Sequence, residues 1–265
     1  MTNKPSIQVI LDPANPGHFF SCCAILGLSD NLWGSAYGWF SESPWIFNVD
    51  TKGNLADLIS ALSRAEIECW FPEDITSTPF TIGSPFSPLH IDWWYPDQKR
   101  TKDFKVWAGT MESFGIARAL QKALCKLDFN KTDIFDTPMV VESPDQPGKK
   151  KEPYYFDARR ATNAHSRDIG FAPNDLKMNT VAYPAVELLC LIGLQFALPA
   201  FTNKPRIFDY FTWNLPLPLS LLSSAACGAL GLSEVKGFRF ESWYRTSQKK
   251  HKAFCFAKPL TNGDL

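Results

Sequence analysis

The chain has 265 residues, 45% of them hydrophobic, and carries 27 Lys and Arg against 27 Asp and Glu, a formal net charge of zero. That balance excludes a disordered chain, which needs low hydrophobicity and high net charge, and a polycation, which needs an overall positive surplus. The length suits one large domain or two small ones and is ample for a hydrophobic core.

Ile7, Val9 and Leu11 alternate with Ser6, Gln8 and Ile10 and predict a first strand. The turn-rich Asp12–Gly17 follows, with Asn15 placed to cap a helix whose first residue is Pro16. The helix is predicted to reach Trp33 and stop at Gly34, and Gly27 inside it suggests close packing on a sheet. Two aromatic-rich strands are expected at 36–40 and 44–49, then a helix from Leu55 to Ala65 capped by Asn54. Five prolines exclude long helices from 66–104, where 90–95 reads as a strand and 97–105 as an exposed basic loop. A helix is predicted to open at Thr110 and run to Leu127. An exposed Pro, Gly and charge loop spans 142–153, a strand 154–159, and a long connection 162–180. Ala182 to Ala197 is the most apolar helix. It is interrupted by Glu187 and Gln195 and belongs inside the protein rather than in a membrane. Strands are expected at 206–213, 237–245 and 252–259, and the prolines at 216 and 218 exclude a helix at the start of the apolar stretch between the first two. Helices and strands alternate early and strands predominate late, which indicates an α+β fold.

The N-terminal apolar run is too short for a signal peptide, so a cytoplasmic location is expected. Seven cysteines, an odd number with no C-x-x-C, fit small buried hydrophobes rather than metal ligands, and no cofactor or metal is expected. Phosphate-loop, nucleophile-elbow and zinc-protease motifs are absent. The zero net charge conceals −3 in residues 1–132 and +3 in residues 133–265. Basic residues concentrate in three segments: Lys99, Arg100, Lys102 and Lys105; Lys149, Lys150, Lys151, Arg159, Arg160, Arg167 and Lys177; and Arg245, Lys249, Lys250, His251 and Lys252, the last resembling a hairpin tip. Basic loops on a neutral body suit a phosphate backbone, although solvated loops have the same composition. Trp93, Trp94, Tyr95, Tyr154, Tyr155, Phe156, Trp243 and Tyr244 precede these loops, where aromatic faces stack unpaired bases; strand aromatics more often fill a core. Gly109 and Thr110 at a helix start offer N–H groups to a phosphate. His18, at the first strand-to-helix junction, is the candidate general acid or base, with no second catalytic group beside it.

Three blocks are distinctive: DPANPGHFFSCCAILGLSDNLWGSAYGWF, FKVWAGTMESFGIARAL and FDARRATNAHSRDIGFAPNDLKMNTVAYPAVELLCLIGLQ. In that order they resemble a family of type I-G (formerly I-U) CRISPR effector proteins of the RAMP superfamily. The resemblance implies a single RRM-like (ferredoxin-like) domain over 1–265, with a proline-rich insertion at 66–104 and a basic, thumb-like insertion at 142–180. It implies a non-catalytic subunit of a Cascade surveillance complex in antiviral defence, with CRISPR RNA and other Cas subunits as partners. The RNA-binding residues would be Lys105, Thr110, Lys149, Lys150, Lys151, Arg159, Arg160, Arg167, Lys177, Arg245, Lys249, Lys250 and Lys252. Two alternatives stand beside it: a metal-independent endoribonuclease using His18, and a structural subunit contacting target DNA. The glycine-rich loop of many RAMP proteins is not evident near the C-terminus.

Overall fold

The computed structural model describes residues 4–73, 78–96, 99–108, 111–127, 134–161, 181–245, 249 and 251–261. The first strand, β1 (Ile7–Ile10), leads into helix α1 (Pro16–Trp33), then strands β2 (Ala36–Ser41) and β3 (Ile46–Thr51) and helix α2 (Leu55–Arg64). α1 begins at Pro16 because the Asn15 side chain accepts the Gly17 N–H, and it ends at Gly34, whose φ of 81° an L side chain rarely adopts. Three short strands, β4 (Ile67–Cys69), β5 (Phe80–Ile82) and β6 (Leu89–Ile91), are followed by helices α3 (Lys99–Phe104) and α4 (Ser113–Leu124). After 3-10 turns at 134–136 and 158–160 come helix α5 (Pro184–Phe196), strands β7 (Ala200–Phe201), β8 (Ile207–Thr212) and β9 (Leu217–Pro218), and helix α6 (Leu219–Ala226). Strands β10 (Lys236–Tyr244), β11 (Lys252–Phe254) and β12 (Lys258–Pro259) complete the chain.

The result is α+β, with three sheets among the described residues, whose strand pairs there are all antiparallel. One sheet has the order β1-β3-β2-β9, the second β11-β10-β8-β7 with β12 also on β10, and the third β4-β5-β6. The proline-rich segment is therefore not featureless. It builds its own sheet from strands short enough to fit between prolines.

α1 is buried along residues 16–29, which explains its apolar character all round. Phe19 contacts Phe40 of the first sheet and Tyr210 of the second, and Phe20 contacts Phe240 of the second. Along its remaining side α1 meets α5 so closely that a Cβ on Gly193 would stand 1.8 Å from the Phe20 carbonyl oxygen. Gly27 is tight as expected, but against the Phe196 ring at the end of α5 and not against a sheet.

Three other expectations change, and one holds. Of the exposed loop expected at 97–105, Lys99–Phe104 is instead helical, with Thr101 and Phe104 buried. The helix expected from Thr110 begins at Ser113, whose hydroxyl donates to the Thr78 carbonyl and whose carbonyl accepts from Tyr154, so its first residue is buried. Residues 154–159 form no strand, because Tyr155 has a φ of 77° and the N–H groups that a ladder would use turn elsewhere. Most of the aromatics flanking basic loops fill the core. Trp93 stacks on Phe104 with centroids 5.0 Å apart, Trp94 and Tyr154 meet Trp107 edge to face at 5.0 and 5.1 Å, and Phe156 packs on Phe254.

Candidate nucleic-acid interface

The first and third distinctive blocks meet in a buried polar knot. The Asn15 Oδ1 that caps α1 also accepts the Ala158 N–H at 3.0 Å, and its Nδ2 donates to Asp157 at 2.9 Å. Asp157 in turn caps the 158–160 turn through the Arg159 N–H. Asn15 thus caps both its own helix and the segment of Asp157, and the two side chains bond across 142 positions of sequence. Glu187, fully buried in α5, accepts N–H groups from Tyr155 at 2.9 Å, Phe156 at 3.1 Å and Asp157 at 3.3 Å. Successive N–H groups pointed inward around a left-handed residue form an anion-binding nest, and here the anion is the protein's own carboxylate. Burial, the largest influence, pushes Glu187 up to about 7 despite these hydrogen bonds.

Residues 12–16 are pinned from other directions as well. Tyr210 donates to the Pro13 carbonyl and the Ala257 N–H to the Ala14 carbonyl. The His18 Nδ1 accepts the Asp12 N–H at 3.1 Å, so the neutral ring carries its proton on Nε2. Nε2 lies 4.0 Å from the nearest Asp157 oxygen and makes no hydrogen bond. Burial outweighs Asp157 and lowers the ring to about 4, so His18 is neutral at neutral pH. The lone pair a general base would use is already engaged.

Beside the knot, the three basic segments come together. The Lys252 N–H donates to the Val106 carbonyl and the Phe254 N–H to the Tyr155 carbonyl, so β11 runs between the first and second segments. Tyr155 lies among side chains of the second and third segments. The Arg245 guanidinium is 3.6 Å from its ring centroid, Arg160 is 4.9 Å away, and the hydroxyl donates to Glu152. Arg245 also reaches the Met111 sulfur. Burial lowers Arg245 and raises Tyr155 from their ordinary values. The sequence did place Arg245–Lys252 in a hairpin: β10 and β11 pair in the register Ser242 with Phe254, Trp243 with Ala253 and Tyr244 with Lys252.

The individual residues divide sharply. Lys149 and Lys249 are exposed. Lys105 lies over the Trp107 ring, 5.1 Å from its centroid, and Lys151 pairs with Glu112 at 2.9 Å. Lys150 bridges to Glu142 through the backbone, closing the 142–153 loop on itself. Arg159 binds Asp157, Asp136 and the Phe135 carbonyl and lies 3.3 Å from the Tyr183 ring centroid. Arg160 is buried and donates to the Val181 carbonyl. Lys252, assigned above to the RNA surface, is buried, and its Nζ donates to the carbonyls of Lys102 and Asp103. Thr110, Arg167, Lys177 and Lys250 lie outside the described residues. Arg159, Arg160 and Lys252 therefore hold segments of the protein together instead of presenting a row of free charges.

Of the knot residues, Asn15 was expected only as a helix cap, and Asp157 and Glu187 carried no role in the sequence reading. Their signal was present: Glu187 is the lone acid of the most apolar helix, and such a charge persists only with partners. Among the described residues, no three His, Cys, Asp or Glu side chains stand close enough to share a metal ion, and no helix is long and apolar enough to cross a membrane. No family model, curated protein or solved structure matches the chain.

Proposed function

We propose that this chain is a non-catalytic, RNA-binding subunit of a type I CRISPR surveillance complex, gripping CRISPR RNA by its backbone and packing against neighbouring Cas subunits in the cytoplasm. The observation that carries the reading is the meeting of the second and third basic segments at Tyr155 and Arg245, with the first segment tied on through Lys252. The distinctive blocks assemble at the same place: Asp12–His18 meets Asp157–Arg159 in the knot, Val106 binds β11, and Trp107 packs on Tyr154. A protein that reads a guide by shape needs cations positioned by a rigid frame, while sequence is read by pairing. The knot is such a frame.

The finer fold reading, an RRM-like core, is supported by the opening of the chain. β1, α1, β2 and β3 follow one another with β3 between the other two strands in the sheet, as in the first half of a ferredoxin-like unit. The next strand, β4, pairs with β5 rather than returning to β1, so the likeness covers that first half. The insertion at 142–180 is the thumb of this reading, with 162–180 outside the described residues. The engaged Nδ1 of His18 supports the non-catalytic reading over the endoribonuclease.

The test is RNA binding by the purified chain with Lys149→Glu and Lys249→Glu combined. Both positions are exposed, so folding is expected to be unchanged while affinity for CRISPR repeat RNA falls about tenfold. Removing two phosphate contacts also lowers the slope of log affinity against log salt by about 1.4. Unchanged affinity and slope would show that this face does not touch RNA.

A further inference from the structure

At the far end of the second sheet, the turn between β7 and β8 forms a groove of about 360 Å³, lined by Phe201, Thr202, Lys204, Arg206, Phe208 and, across from them, Asp103. Arg206 differs from the arginines of the knot. Its backbone is left-handed, with a φ of 63°, a conformation in which a non-glycine residue is strained and which clusters at ligand sites. Its Nε is buried without a hydrogen-bond partner among the described residues. Its guanidinium lies 5.4 Å from the Trp243 ring centroid and 5.0 Å from that of Tyr244. Neither Arg206 nor Lys204 forms an ion pair among the described residues. Arg239, which lines an adjoining cleft, is instead matched by Asp209 at 2.8 Å. Open aromatic surface lies on both sides of Arg206: Phe201 in the lining is 36% exposed, and Trp243, outside the lining but against the guanidinium, 39%.

A cation without a counter-charge, held in a strained backbone beside exposed aromatic faces, suits a ligand with one anionic and one flat aromatic part. We propose that this groove binds a nucleotide of a single-stranded RNA, its phosphate on Arg206 and Lys204 and its base against Trp243. Asp103, the one carboxylate in the lining, disfavours a second phosphate in the groove. The choice of RNA as the polymer rests on the function proposed above; the groove, its unmatched cation and its aromatic wall do not. The site extends the RNA path from the Tyr155 face, to which Asp103 is tied by Lys252.

The experiment measures fluorescence anisotropy of a fluorescein-labelled oligouridine with the full chain. The decisive variant is Arg206→Gly. Glycine adopts the left-handed backbone freely, so this variant is expected to melt no lower than the parent while binding about tenfold more weakly, as expected for loss of one charge-assisted contact. Trp243→Ala is expected to lose about as much, one stacked base. Uridine monophosphate is expected to compete poorly. Arg206→Gly binding as tightly as the parent overturns the proposal, as does an unaltered chain that leaves the oligouridine free. Effective displacement by uridine monophosphate overturns the polymer and leaves a mononucleotide site. The two surfaces separate cleanly. Loss with Arg206→Gly but not with the Lys149 and Lys249 reversals sustains the groove and removes the Tyr155 face, and the opposite pattern does the reverse.

Discussion

The polar knot and the 201–208 groove use the same side chains to opposite ends. In the knot, Arg159 is held by two carboxylates, a carbonyl and a ring, and each Asn15 amide atom has a protein partner. In the groove, Arg206 has aromatic neighbours but no carboxylate partner among the described residues, and its backbone is strained. Fully matched buried polar groups fix a unique arrangement of segments, whereas an unmatched cation at an opening is available to something else. Arginine content alone therefore says little about where a ligand binds; the partners of each guanidinium say more. The knot should accordingly govern stability and the exposed lysines and groove should govern binding.

The largest effect on this contrast is expected from Asp157→Ala. It strands Arg159, the Asn15 amide and the 158–160 turn, and breaking a buried pair of this kind costs about 3–5 kcal/mol. Urea unfolding measures it; a loss under about 1 kcal/mol would mean that the knot is not what binds the segments.

The next effect is the dependence on pH. His18, lowered from 6.5 to about 4, is protonated more readily in the unfolded chain, so its contribution is fully present above pH 6.5 and is lost as pH falls towards 4. Glu187, raised from 4.5 to about 7, holds its proton more tightly when folded, so its contribution is present below pH 4.5 and is lost as pH rises through 7. Each swing is of order 3 kcal/mol, and the two oppose one another between pH 4.5 and 6.5. Thermal melts of His18→Gln should lose stability as pH rises from 4.5 to 7, and those of Glu187→Gln should gain it from 4 to 6.5. Parallel profiles for the two variants would refute these assignments.

Asn15→Ala removes a helix cap and one inter-segment clamp, for an expected loss of about 1–2 kcal/mol by the same urea measurement. The smallest stability effect belongs to the other region: Lys149→Ala and Lys249→Ala should each leave unfolding within about 0.5 kcal/mol of the parent. A larger change at either lysine would blur the division between frame and surface.

Local signals in the sequence located α1 from its cap at Asn15 to its stop at Gly34, because each end is decided by residues a few positions away. The same holds for α2 behind Asn54, and for β10 and its hairpin with β11. Residues 154–159 misled, because strand-forming aromatics were overridden by a carboxylate 30 or more positions away that collects three consecutive N–H groups. The basic segments were legible as charge, and their meeting point was not, since it depends on β11 pairing at long range. Lys252 shows the limit most clearly: it reads as part of a basic tip, yet its strand register turns it inward to the carbonyls that end α3. Arg206 was missed because isolated arginines carry no pattern and its left-handed backbone is visible only in three dimensions.

The most direct measurement is to purify the chain together with the products of its neighbouring genes and sequence the RNA that accompanies it, beside the Lys149→Glu, Lys249→Glu double variant. The proposed function predicts CRISPR repeat-derived RNA with the parent and marked depletion with the double variant, while the protein partners still co-purify. Absence of such RNA from the parent complex, or equal recovery with the variant, would contradict it.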